Sequence, residues 1–153
     1  MYFYYLPADL KFALQNININ NLREIRLRNG QPVIIMYGSE YKYINKFGAT
    51  GEIRGAIRCN NADEVLRSAM QKSVYAFSEQ LKSGFITVDG GVRIGICGEY
   101  VTQDGHTVTV KNVTSLNLRI PHDVAGVADE VFEKVCADCI KSELNFSQPG
   151  YGK

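Results

Sequence analysis

The sequence predicts an α+β domain of antiparallel strands with packed helices. Three observations carry this. Segments such as 23–28 and 40–44 alternate apolar and polar residues with the two-residue period of a half-buried strand. Turn dipeptides at Asn29-Gly30, Gly38-Ser39 and Asp104-Gly105 separate such segments at hairpin spacing. Helical-period segments are grouped around the strands instead of alternating singly with them, which is not the order of a βαβ protein.

Each element has its own justification. In "PADLKFALQN" (7–16), Pro7 suits a first helical turn, and Leu10, Ala13 and Leu14 recur at helical spacing. "REIRLR" (23–28) points Ile25 and Leu27 one way and Glu24, Arg26 and Arg28 the other. "PVIIMY" (32–37) and "EYKYI" (40–44) complete a three-stranded meander. Residues 45–58 hold three glycines and little pattern, so a loop is expected, with a short strand near Ile53. "NNADEVLRSAMQKS" (60–73) is a helix with Asn61 as N-cap and Val65, Leu66, Ala69 and Met70 on its apolar face. A second helix runs over 75–84, closed by Gly84. "FITV" (85–88), "DGG" (89–91) and "VRIGICGEYV" (92–101) form a hairpin. Gly95 and Gly98, inside its second strand, signal a bulge or a close backbone approach. Residues 107–121 are one long strand or two short ones. A helix over 123–139 buries Val124, Val127, Val131 and Val135.

At 153 residues, 45% hydrophobic and 22% charged, the composition fits a globular domain and excludes a disordered or collagen-like chain. The net charge of +1 excludes a strongly basic nucleic-acid binder. Charge is uneven along the chain: residues 1–59 carry eight Lys/Arg against four Asp/Glu, and the remainder nine against twelve. The start "MYFYYLPADL" lacks the basic residues of a secretory signal, so a cytoplasmic location is expected. Disulfides between Cys59, Cys97, Cys136 and Cys139 are therefore not expected. The single Cys-x-x-Cys (136–139) has no second close pair to complete a structural zinc site. His106 and His122 have no carboxylate or cysteine at ligand spacing. No metal site is assigned.

The last nine residues, "NFSQPGYGK", raise a sharper question. A Walker A loop, Gly-x-x-x-x-Gly-Lys-[Ser/Thr], wraps phosphates in backbone N–H groups and places its lysine on the β and γ oxygens. Gly152-Lys153 fits the end of that pattern. The strand expected before it is offered by "ELNFS" (143–147), where Leu144 and Phe146 alternate.

"EIRLRNGQPV" (24–33), "YAFSEQLKSGFITVDGGVRIGICGEYV" (75–101) and "VTSLNLRIP" (113–121) resemble the amino-terminal domain of the stage III sporulation protein AA family. The blocks come in that family's order and cover roughly residues 24–153. In the family this domain leads into a P-loop reading Ser-Pro-Pro-x-x-Gly-Lys-Thr-Thr. Ser147, Pro149, Gly152 and Lys153 match it, and Gln148 stands at its first proline. The family is itself similar to secretion and pilus-retraction ATPases, with a PAS-like amino-terminal domain before a RecA-like motor.

The resemblance implies residues 1–140 as the amino-terminal domain and 141–153 as a linker and incomplete P-loop. Ser147, Pro149, Gly150, Gly152 and Lys153 become nucleotide-binding candidates. It also implies a hexameric ring on the cytoplasmic, mother-cell side of the membrane, driving a channel into the forespore. The partners would be other subunits of the ring and channel membrane proteins, with no nucleic acid. ATP and Mg would serve the full-length protein, and neither is expected on this chain alone. The Mg hydroxyl, Walker B carboxylate and water-positioning residue of such a motor have no place in these residues. Arg93 and Arg119 match strands whose arginines reach toward nucleotide in the secretion ATPases. Arg26 and Arg28, on "EIRLR", are candidates for facing a neighbouring subunit or channel partner. The alternative is a stand-alone α+β module that binds protein or nucleic acid through its basic front half, where "EYKYINK" (40–46) comes nearest to a stacking platform for single strands.

Overall fold

The centre of the sheet is made by strands far apart in sequence. In the computed structural model, β1 (Leu22–Arg28) pairs antiparallel with β2 (Ile34–Tyr37) on one side and with β7 (His106–Arg119) on the other. Outward from β2 come β3 (Glu40–Asn45) and β4 (Gly48–Thr50). Outward from β7 come β6 (Arg93–Gln103) and β5 (Phe85–Thr87). The result is one seven-stranded sheet in the order β4-β3-β2-β1-β7-β6-β5, antiparallel throughout. The structure describes residues 3–70 and 77–122, with Gly126, Asp129 and Phe132 beyond them.

Three α-helices among the described residues accompany the sheet: α1 (Ala8–Leu14), α2 (Ala62–Met70) and α3 (Ser78–Lys82). Leu10, Ala13 and Leu14 of α1 are buried, as are Val65, Leu66 and Ala69 of α2 and Leu81 of α3. They join one apolar cluster with Ile25, Leu27, Ile35, Ile44, Ile86, Ile94, Leu116 and Leu118 of the strands. Those strand residues share one side of the sheet. Ile94, Leu118, Ile25 and Ile35 stand opposite one another in register across β6, β7, β1 and β2.

Local chemistry explains the ends of these elements. Asn61 caps α2, its side-chain oxygen accepting from the Glu64 N–H at 3.3 Å. Asn29 does more than turn the chain. Its Nδ2 donates to the Val113 carbonyl at 3.0 Å, and its Oδ1 accepts from the Ala62 N–H at 2.7 Å, so one side chain ties β7 to the start of α2. The β6–β7 hairpin closes through Asp104 (φ 51°) and Gly105 (φ 77°), the two positive φ values of a type I′ turn. The close approach expected at Gly98 is present: a Cβ there would lie 2.8 Å from the Lys111 carbonyl oxygen, where the β6–β7 register shifts. Gly95 lies in unbroken ladder.

One local expectation is corrected, and one left open between two forms is decided. No strand forms at Ile53, which is exposed; the short strand is Gly48–Thr50, held by pairing with Tyr43, Ile44 and Asn45. Segment 106–119 is one continuous strand, not two. Of the helix expected over 123–139 only Gly126, Asp129 and Phe132 are described, the last two of them helical, and the strand at 143–147 falls outside the described residues.

By its contacts the chain divides into two units, Met1–His122 and Asp123–Lys153. The first holds the whole sheet and α1 to α3. In the second, the Asp129 N–H donates to the Gly126 carbonyl at 3.2 Å. The expected boundary between 140 and 141 lies outside the described residues.

Candidate functional site

Because side chains alternate along a strand, the residues between the buried aliphatics emerge on the other side of the sheet. All four arginines singled out from the sequence lie there. Register places them in rows. Arg93 of β6 stands opposite Arg119 of β7, and Arg119 opposite Glu24 of β1. The next row is Gly95, Asn117 and Arg26, and the third Cys97, Ser115 and Arg28. Arg28, Arg93 and Arg119 are exposed, and Arg26 is half-buried. Among the described residues no helix covers this side, since α1, α2 and α3 all bury their apolar residues on the other.

The arginines are held differently. Arg26 is pinned: its Nε donates to the Glu24 carboxylate, its Nη2 donates to the Tyr41 hydroxyl at 2.5 Å, and its guanidinium lies 4.3 Å from the centre of the Tyr41 ring. The Glu24 hydrogen bond, foremost, raises the Arg26 pKa above its ordinary value. Arg93 stacks on Phe85 at 5.4 Å. Neither Arg93 nor Arg119 has a carboxylate partner among the described residues, although like charges directly opposite on neighbouring strands repel. A bound anion between them would remove that repulsion.

Beside these rows runs an open groove of about 510 Å³, lined by Arg26, Arg28, Gly95, Ser115 and Asn117 among others. The Asn117 side-chain oxygen is buried without a hydrogen-bond partner among the described residues. Sequence reasoning passed over Asn117. Its only signal is a polar residue between Leu116 and Leu118, a position on the same side of the strand as Arg119. Of the aromatic residues in "EYKYINK", Tyr41 is the one joined to this face through Arg26.

The remaining candidates separate from this surface. Cys59 is buried away from this surface, and that burial raises its thiol above its ordinary pKa. His122 Nε2 donates to the Leu22 carbonyl at 2.6 Å, fastening the end of β7 to the start of β1. Among the described residues no three His, Cys, Asp or Glu side chains gather where a metal ion would sit, and no helix is long and apolar enough to cross a membrane. Ser147, Pro149, Gly150, Gly152, Lys153, Cys136 and Cys139 lie outside the described residues.

Fold and surface together define an α+β domain with an arginine-bearing sheet face. The chain belongs to the family described as sporulation stage III, protein AA, whose model matches residues 6–153. It is 26% identical over 151 residues to the stage III sporulation protein AA of Bacillus subtilis (strain 168). The match covers 97% of this chain and 46% of that protein, so the chain spans about half the length of its relative. No solved structure matches it.

Proposed function

We propose that this chain is the amino-terminal, oligomer-organising and regulatory domain of a sporulation ATPase. Its place would be the cytoplasmic, mother-cell side of the membrane, where the complete protein forms a ring and powers a channel into the forespore. Residues 141–153 would begin the P-loop, with Ser147, Pro149, Gly150, Gly152 and Lys153 toward ATP and Mg. The sporulation part of this reading is supported by the family and by the Bacillus subtilis relative.

One observation carries the regulatory part: four arginines from β1, β6 and β7 converge on a single sheet face that the described helices leave open. Arg93 and Arg119, opposed and without carboxylate partners among the described residues, suit an anion with several oxygens. A planar guanidinium offers two parallel N–H donors to a phosphate, and charge that develops in phosphoryl transfer is stabilised by such a group. Arg26 and Arg28 would face a neighbouring subunit or channel protein.

The test is to replace Arg93 and Arg119 singly by alanine in the full-length protein and to measure ATP turnover and unfolding. Both side chains are exposed, so stability should change by roughly 0.5 kcal/mol or less. Turnover should fall on the order of 10³-fold for an arginine that reaches the γ-phosphate. Unchanged turnover in both variants would make these ordinary surface residues and return the domain to the class of binding modules.

A further inference from the structure

The two arginines of β1 are not equivalent. Arg26 is held by Glu24 and Tyr41, and its charge is already answered. Arg28 is exposed, and its side chain makes no hydrogen bond or ion pair among the described residues. Both line the groove, as does Asn117 of β7, whose buried Oδ1 has no hydrogen-bond partner among the described residues. A buried acceptor left without a donor is costly, and a ligand N–H that reaches it restores the lost hydrogen bond. Opposite Asn117 in register is Gly95, which puts no side chain over the floor. A Cβ at Gly95 would stand 3.7 Å from the Asn117 backbone oxygen, ordinary contact, so the absent side chain leaves room without any backbone requirement for glycine.

We infer that this groove binds an extended acidic segment of a partner protein. One carboxylate of the segment pairs with Arg28, and a backbone N–H donates to Asn117 Oδ1. The inference rests on the reading of Arg26 and Arg28 as partner-facing and names the chemistry of the partner. Charge complementarity selects an acidic occupant, because among the described residues the lining holds the unanswered guanidinium of Arg28 beside the Glu24-held Arg26, and no carboxylate. Among the described residues the lining also holds no aromatic ring, whereas recognition of a nucleobase draws on a ring to stack against. An extended peptide supplies what the groove lacks. Its residues alternate sides, so a carboxylate can face the arginine while main-chain N–H groups stay within reach of the strand.

Fluorescence anisotropy of this chain with a labelled eight-residue peptide of alternating Glu and Ser tests the inference. A Gln-Ser counterpart and labelled ATP serve as competing probes. The acidic peptide should bind, weaken as salt is raised, and exceed the neutral peptide at least 10-fold. Arg28→Gln should weaken binding about 10-fold and Asn117→Leu about 5-fold, while Arg58→Gln, outside the groove, should leave it unchanged. Gly95→Val obstructs the floor without altering Arg28 or Asn117 and should also weaken binding; thermal melts establish that each variant is folded. If Arg28→Gln weakens binding but Asn117→Leu and Gly95→Val do not, the groove inference fails and the partner-facing reading survives. Equal binding of the neutral peptide, or no binding of the acidic one, overturns both. Binding of ATP that Arg28→Gln abolishes would assign the groove to nucleotide and overturn the inference.

Discussion

Replacing Tyr5 by phenylalanine should stabilise the protein. Tyr5 is 3% exposed, and its ring packs edge-on against Phe3 and Tyr4, with centroids 6.5 and 5.2 Å away. Its hydroxyl is buried with no hydrogen-bond partner among the described residues. Burial, with Tyr4 adding to it, raises the phenol well above its ordinary pKa. An unsatisfied buried hydroxyl costs about 1–3 kcal/mol, whereas the ring contacts are the same in phenylalanine. Tyr5→Phe should therefore gain about 1 kcal/mol near neutral pH, or about 2–4 °C in Tm for a chain of this size.

The sign of the pH dependence follows from the raised folded pKa. Below the unfolded value of about 10 both states keep the proton, and the contribution is constant. Above it the unfolded phenol ionises while the folded one does not, so stability falls by as much as ~1.4 kcal/mol per pH unit until the folded group ionises too. Urea unfolding of both proteins at several pH values from 7 to 11 measures this. The gap between the curves should widen above pH 10. A variant less stable than the parent by more than about 0.5 kcal/mol at pH 7, or curves that stay parallel above pH 10, would show that the hydroxyl has a partner and that the reasoning is wrong.

Other outcomes follow from single contacts. Gly98→Ala should cost about 2 kcal/mol in chemical denaturation, because the new Cβ meets the Lys111 carbonyl oxygen at 2.8 Å, and backbone cannot swing aside as a side chain can. Asn29→Ala should cost about 2 kcal/mol, since it orphans both the Val113 carbonyl and the Ala62 N–H; Asn29→Asp, which keeps only the acceptor, should recover part of that loss. Purified as this chain, the protein should release no more phosphate from Mg-ATP than its Lys153→Ala variant, because a Walker lysine without a Mg hydroxyl and a Walker B carboxylate does not assemble the reaction.

What the sequence disclosed was local. Alternation around Ile25 and Leu27, the Asp104-Gly105 turn and the Asn61 cap each depend on a few neighbouring residues, and each was legible. The strand Gly48–Thr50 was not, because three residues carry no period and its pairing with β3 supplies the order. The insertion of β1 between β2 and β7 was not legible either, since the Ile25–Leu118 pairing joins residues whose separation leaves no local trace. The arginine face lies between these cases. That Arg93 and Arg119 point away from the aliphatics was readable from parity within each strand. That they meet Arg26 and Arg28 on one surface required the sheet order. Asn117 signalled only its side of the strand, because an unpaired oxygen is a property of its neighbours and not of the residue.

The sheet order also has a consequence for synthesis. A ribosome completes β1 at Arg28 and does not reach Arg119, the far end of its partner β7, until 91 residues later. At about 5–20 residues per second, the nascent chain spends roughly 5–20 s with the inner strand of its future sheet open along one edge. Through that interval a row of main-chain donors and acceptors flanked by Ile25 and Leu27 is available to any other extended chain. Arg26 and Arg28 then act as gatekeepers. Their charge on alternate positions makes the waiting strand a poor template for a second nascent copy carrying the same two arginines.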